Sequence, residues 1–110
     1  MIDWSRIQEL RDEIGADDFD DVVEIFLSEV EETIEKLDQK ANAPALEQNM
    51  HFLKGAALNL GFKTLAEHCQ VAESAAASGQ VGQVDVDGVI RCYKQSRAIF
   101  QSERQQHFAA

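Results

Sequence analysis

The stretch "FDDVVEIFLSEVEETIEKL", residues 19–37, decides the fold class of this chain. Its apolar residues recur every three or four positions over about five turns. They are Phe19, Val22, Val23, Phe26, Leu27, Val30, Ile34 and Leu37. Acidic side chains fill most of the positions between them. The pattern predicts an amphipathic α-helix with an apolar face against a core and an acidic face toward solvent.

The same periodicity extends over nearly the whole chain, and no long run alternates in the way of a strand. It predicts helices over residues 4–14, 18–39, 44–60, 64–78 and 86–105. The last four residues, 107–110, are expected to be frayed. Asp3 is a candidate N-cap of the first helix and Gly15 ends it. Asn42 and the proline after it suit the start of the third helix. The "TLAE" segment, residues 64–67, has the form of a capping box at the start of the fourth.

Four long helices with short connections imply antiparallel neighbours. We therefore predict an all-α fold, an antiparallel up-down-up-down four-helix bundle with a short additional N-terminal helix at one end. A chain of 110 residues fits a single domain over residues 1–110.

Charge is divided unevenly along the chain and limits the classes of partner. Residues 1–38 carry 14 of the 20 acidic residues and a net charge of −11, whereas the remainder carries +1. This balance argues against nucleic acid and against an anionic membrane surface. No apolar run is long enough to span a bilayer, and no secretory signal is visible at the N-terminus, so we expect a cytoplasmic protein. Cys69 and Cys92 are expected to be buried and reduced.

The segment "HFLKGAALNLGF", residues 51–62, carries the chemistry. On a helical wheel His51 lies about 140° from the centre of the face formed by the apolar residues of the third helix. Lys54, Gly55 and Leu58 follow it by three, four and seven residues and therefore share its outward strip. Gln48 flanks the same strip one turn earlier.

These residue types point to nucleophilic chemistry on a protein partner. Histidine has an ordinary pKa of about 6.5, so an exposed imidazole is a nitrogen nucleophile near physiological pH. Lys54 supplies a cation, and Gly55 leaves room for an approaching group. Leu58 and Phe52 offer apolar contact. No second ligand is placed to form a metal site with His51, and no nucleotide-binding loop or Ser-His-Asp set is visible.

Three segments resemble the histidine phosphotransfer (HPt) domain family over essentially the whole chain. "HFLKGAALNLG" is similar to its His-x-Leu-Lys-Gly motif, followed by small residues and Leu-Gly. "LAEHCQVAE", residues 65–73, is similar to its next helix, where a Leu…Cys…Glu pattern is common. "IDWSRIQELRDEIG", residues 2–15, resembles stand-alone members. Position 56 is Ala where many members carry Ser, so no hydroxyl role is assigned there.

The resemblance implies a four-helix bundle that relays phosphoryl groups in multistep two-component signal transduction. His51 matches the phosphorylated histidine, and Lys54 and Gly55 match the lysine and glycine of the motif. The partners implied are receiver domains of a hybrid histidine kinase, a response regulator, or both. The receiver brings Mg²⁺, and the phosphotransfer domain has no cofactor, no metal and no autokinase activity of its own. We expect a monomer.

Two other functions stay open at this point. The chain could be a non-phosphorylated adaptor that binds a receiver or kinase domain through the same surface. It could also be a metal-binding helical bundle, for which the residues give less support. His68 and His107 are expected to be ordinary surface histidines.

Overall fold

The structure, a computed structural model, describes residues 1–108 and contains five α-helices in that range. They are α1 (Trp4–Ile14), α2 (Ala16–Lys36), α3 (Ala43–Leu60), α4 (Lys63–Ala77) and α5 (Val86–Phe108). A short 3₁₀ helix, Val81–Gln83, interrupts the loop before α5 and was not predicted. The molecule is elongated, 48 × 20 × 19 Å. The predicted all-α bundle with a short N-terminal helix is therefore confirmed.

The amphipathic stretch forms most of α2, with different ends from those predicted. The helix begins at Ala16 instead of residue 18, because Gly15 adopts a φ of 99° and turns the chain directly from α1 into α2. It ends at Lys36 instead of residue 39, because Leu37 is extended. Gln39 lies beyond that end, where its side chain hydrogen-bonds to the carbonyl of Val84 and the amide of Val86. This contact ties the α2–α3 loop to the start of α5.

The α3–α4 hairpin is closed by two residues. Gly61 has a left-handed φ of 74° and ends α3 as predicted, while the next residue, Phe62, is fully buried. The predicted capping box is wrong, because α4 begins at Lys63 with no side-chain cap. The backbone before α1 satisfies one amide at the start of α4, since the Thr64 amide donates to the Met1 carbonyl. The amide of Asp3 also donates to the Gly61 carbonyl at 2.7 Å.

Helix α5 continues to Phe108, three residues past its predicted end, so the expectation that the chain frays from residue 107 is wrong there; Ala109 and Ala110 lie outside the described residues. The extension is held by aromatic contacts. The His107 ring stacks on Trp4 at 3.8 Å, and Phe108 meets both Trp4 and Phe19 edge to face. The end of α5 is thus packed against α1 and α2.

The buried residues form one apolar cluster to which all five helices contribute. Four residues of α2 are buried: Phe19, Val23, Leu27 and Val30. Helices α3 and α4 add Leu46, Met50, Leu53, Ala57, Leu60, Leu65, Cys69, Ala72 and Ala76, and the two cysteines of the chain are free and buried. Most acidic side chains of α2 remain exposed. This packing fixes the rotation of α3 and α4 and so decides which residues reach their shared outer surface.

Candidate functional site

His51 lies in the middle of α3 on the face turned away from the core. Its neighbours Met50 and Leu53 are fully buried, whereas the imidazole is 71% exposed. Its Nδ1 atom lies 2.8 Å from Oε1 of Glu73, a residue of α4. The outward position predicted from the helical wheel is thus the observed one, and one ring nitrogen is already engaged.

Glu73 is the centre of a network that joins α3 to α4. Its side chain is only 16% exposed, and its second oxygen, Oε2, lies 2.7 Å from Nζ of Lys54. The hydrogen bond from the Lys54 ammonium holds the pKa of the Glu73 carboxyl below its ordinary value, against the effect of burial, and the His51 contact adds to the lowering. The carboxylate is therefore ionised at neutral pH.

The charge state of Glu73 determines which nitrogen of His51 is reactive. An ionised carboxylate only accepts hydrogen bonds, so Nδ1 must be the donor in this contact. A neutral imidazole that carries its proton on Nδ1 has an unprotonated Nε2 with a free lone pair. The network therefore presents Nε2 to solvent as the nucleophilic atom.

Lys54 is less free than the sequence pattern suggests. Its side chain is 22% exposed and leans toward α4, where Nζ contacts both Glu73 and, at 3.0 Å, Oε1 of Gln70. Gln70 in turn donates from Nε2 to Oγ of Ser74 at 3.1 Å. The lysine lies beside the histidine, as expected from their spacing, with its charge shared between two acceptors.

The remaining predicted residues surround His51 without bonding to it. Gln48 and Phe52 line a shallow surface depression together with Pro44, Glu47, His51 and Glu73. Gly55 is exposed one turn after His51, and a Cβ added there would meet nothing within 4 Å. Leu58 is 56% exposed and Phe52 43% exposed, so both offer apolar surface near the histidine, although Leu58 does not line the depression.

Glu73 and Gln70 are not predicted from the sequence, because a helical wheel of α3 carries no information about residues of α4. A signal was present: Glu73 lies at the edge of the α4 face formed by Leu65, Cys69 and Ala72, and Lys54 lies at the edge of the α3 face. Opposite charges that flank the apolar seam between two packed helices are able to form interhelical salt bridges. Glu73 is the acidic residue that ends the segment "LAEHCQVAE", and the sequence alone assigns it no role.

Within residues 1–108 the structure shows neither a metal-binding cluster nor a membrane-spanning helix. No group of three or more His, Cys, Asp or Glu side chains in that range is arranged to hold a metal ion. Within the same range no helix combines the length and the apolar character needed to cross a membrane.

Comparisons with known proteins point to one family. The model of the Hpt domain family matches residues 21–99, a range that includes every site residue named above. The phosphorelay intermediate protein YPD1 of Candida albicans is 35% identical over 77 residues, which cover 64% of this chain and 41% of that protein. The aligned part therefore spans about two fifths of the relative's length. No solved structure matches.

Proposed function

Because the chain belongs to the Hpt domain family, we propose that it is a phosphorelay intermediate. In this proposal His51 accepts a phosphoryl group from an aspartyl phosphate of one receiver domain and passes it to an aspartate of another. The observation that carries the proposal is the exposed His51 ring whose Nδ1 is held by Glu73, which leaves Nε2 free to attack.

The transfer step follows from this arrangement. The Nε2 lone pair attacks phosphorus as the P–O bond to the receiver aspartate breaks, and the aspartate leaves with that electron pair. The imidazole then carries a positive charge and keeps its proton on Nδ1. Glu73 stabilises that charge across the 2.8 Å contact and accepts the same hydrogen bond before and after the transfer. In the reverse step, with a second receiver, the imidazole leaves as the neutral ring.

Lys54 and Gly55 serve the incoming group in this proposal. Phosphoryl transfer depends mainly on positioning and on neutralisation of oxyanion charge. The Lys54 ammonium lies beside the imidazole on the same helix and is able to offset part of the phosphoryl charge. Gly55 leaves the next turn bare, so that the backbone of a partner is able to approach. Gln48, Phe52 and Leu58 form the contact surface around the nucleophile.

In this proposal the partner receiver domain supplies what this chain lacks. The chain needs no cofactor and no autokinase activity, because the donor arrives already phosphorylated and the receiver domain supplies Mg²⁺. The acidic face of α2 would repel a receiver's acidic pocket, which favours docking on the outer surface of α3 and α4. We further propose that the protein acts as a monomer in the cytoplasm, a compartment compatible with its two free cysteines.

The proposal is tested by incubating the full chain with phosphorylated receiver domains, one at a time. We expect a phosphoprotein that is labile in acid and stable in base, with phosphorus on Nε2 by NMR. The variant His51→Gln should not label. His68→Gln is the matched control, because His68 is also an exposed histidine and lies on α4 outside the network, so it should label like the parent.

Two results would overturn the assignment. Equal labelling of His51→Gln and the parent would move the site elsewhere. The second result is that a receiver binds both the parent and His51→Gln but no phosphoryl group is transferred to or from either protein. It would favour the non-phosphorylated adaptor, for which the exposed apolar side chains Phe52 and Leu58 provide the contact.

A further inference from the structure

The Lys54 ammonium is held on the α4 side of the site by two acceptors. Nζ lies 2.7 Å from Oε2 of Glu73 and 3.0 Å from Oε1 of Gln70. A lysine has three N–H donors, so these two contacts engage most of its hydrogen-bonding capacity. A phosphoryl group on His51 must compete with both acceptors for the same cation.

Gln70 is oriented for this contact by Ser74. The Gln70 Nε2 atom donates to Ser74 Oγ at 3.1 Å, one turn later on α4. That bond turns the amide oxygen toward Lys54, whereas the flipped amide would place N–H groups against the ammonium. The Gln70 side chain bonds to Lys54 and Ser74, so its connection to His51 runs through Lys54.

We infer that Gln70 is a positioning residue that restrains Lys54 and thereby sets how much lysine charge reaches a phosphoryl group on His51. The inference rests on the proposed function and adds a tuning element to it. When the P–N bond forms at Nε2 and the P–O bond to the donor aspartate breaks, the new dianion attracts Lys54. The lysine must then weaken its Gln70 contact, so the strength of that contact shifts the balance between aspartyl phosphate and phosphohistidine.

The restraint predicts effects of opposite sign for two variants at one position. Gln70→Ala removes the acceptor and frees Lys54 toward the phosphoryl group. Gln70→Glu puts a carboxylate beside the ammonium and holds it away. Ser74→Ala lets the Gln70 amide turn, so its effect should have the sign of Gln70→Ala and a smaller size. Gln95→Ala, at an exposed position of α5, is the matched control.

The first measurement needs no identified partner. His51 is phosphorylated with phosphoramidate in the full chain, and the phosphoryl group is titrated by ³¹P NMR, where a nearby cation favours the dianion. Gln70→Ala should raise the acid dissociation constant of the phosphoryl group by about two- to five-fold, the range of a partly exposed ion pair. Gln70→Glu should lower it, and Gln95→Ala should leave it unchanged.

A double variant decides whether Gln70 acts through Lys54. In a Lys54→Ala background, Gln70→Ala should have no further effect on this constant. The inference is overturned if the Gln70→Ala effect persists without the lysine, or if alanine and glutamate at position 70 shift the constant in the same direction.

A second readout uses the unphosphorylated protein and is independent of the proposed function. If Gln70 keeps Lys54 against Glu73, Gln70→Ala should raise the pKa of the Glu73 carboxyl toward its ordinary value, as followed by ¹³C NMR. An unchanged Glu73 pKa would overturn the inference. Failure of receivers to label His51 would instead refute the phosphorelay assignment and leave this readout intact.

Discussion

Two carboxylates in this bundle each join a pair of helices, and the two pairs are different. Glu73 of α4 contacts His51 and Lys54 of α3, and Glu31 of α2 contacts Tyr93 and Arg97 of α5. Each carboxylate therefore faces one ring group and one cation from the neighbouring helix. The two networks have similar components and lie in the same fold.

The two networks differ in whether their ring group reaches solvent. The His51 imidazole is mostly exposed and has a free nitrogen, whereas Tyr93 is buried and donates its hydroxyl to Glu31 at 2.9 Å. Burial, followed by the adjacent Glu31 carboxylate, raises the pKa of Tyr93 above its ordinary value and keeps the phenol protonated. The Glu73 network thus holds a ring that is open to solvent, whereas the Glu31 network joins α2 to α5 through a buried ring, an arrangement we call the Glu31 clamp.

The largest expected effect separates the two carboxylates by function. Glu73→Ala removes the acceptor that holds the His51 tautomer and should slow phosphoryl acceptance by about 10- to 100-fold, the range known for loss of a residue that orients a metal-binding histidine. Glu73→Gln keeps an acceptor without the charge and should fall between this variant and the parent. Glu31→Ala, the matched variant, should transfer like the parent. Rates from phosphorylated receiver to protein measure all three, and equal slowing by both alanine variants would contradict the comparison.

The sequence predicts the α3 residues of the site network, His51 and Lys54, and misses the α4 residues; it predicts nothing of the Glu31 network. The wheel places His51 outward because a single helix and its core face decide that direction. Caps such as Asp3 and Asn42 are also confirmed, since they depend on residues three positions apart. Pairing of His51 with Glu73, 22 residues away, depends on how α3 and α4 are rotated against each other, which their packing determines.

The same limit applies to helix ends. The sequence predicts that α5 ends at residue 105, but Phe108 packs on Phe19 and under the Arg11 guanidinium. These contacts connect the two ends of the chain. Local pattern carried no information on this contact. Tertiary packing lengthened the helix where intrinsic propensity alone predicted fraying.

The next effect concerns the clamp. Tyr93→Phe removes one buried hydrogen bond and should lower the free energy of unfolding by about 1 kcal/mol, without changing phosphoryl transfer. Because the pKa of Tyr93 is raised in the folded state, the protonated phenol contributes fully to stability at pH values below its ordinary pKa of 10. This contribution is lost as pH rises through the folded-state pKa. Urea denaturation at pH 7 and above pH 10 measures both. The gap between parent and Tyr93→Phe should narrow in alkali, and a constant gap would show that burial and Glu31 do not keep Tyr93 protonated in the folded protein.

A smaller effect tests how much Gly55 lowers the stability of α3. Gly55 has helical geometry and open space around it, so Gly55→Ala should raise the free energy of unfolding by about 0.5–1 kcal/mol. The same methyl group stands where a receiver is proposed to approach and should slow transfer. Ala77→Gly, at an exposed position at the end of α4, is a control that changes a helix without touching the site. Faster phosphoryl transfer by Gly55→Ala would contradict the proposal that Gly55 leaves room for the receiver.

The smallest expected effect is the response of the Glu73 network to acid. The folded-state pKa of Glu73 is lowered, chiefly by the Lys54 hydrogen bond, so its contribution to stability is present above the ordinary value of 4.5 and is lost as pH falls through the lowered value. The stability difference between parent and Glu73→Gln should therefore be a few tenths of a kcal/mol at pH 7, as for partly exposed ion pairs, and vanish in strong acid. In a Lys54→Ala background most of this pH dependence should disappear, because the main cause of the shift is gone. If the difference is instead unchanged by removal of the lysine, Glu73 is held by His51 alone, and the site network is a two-residue contact rather than the counterpart of the Glu31 clamp.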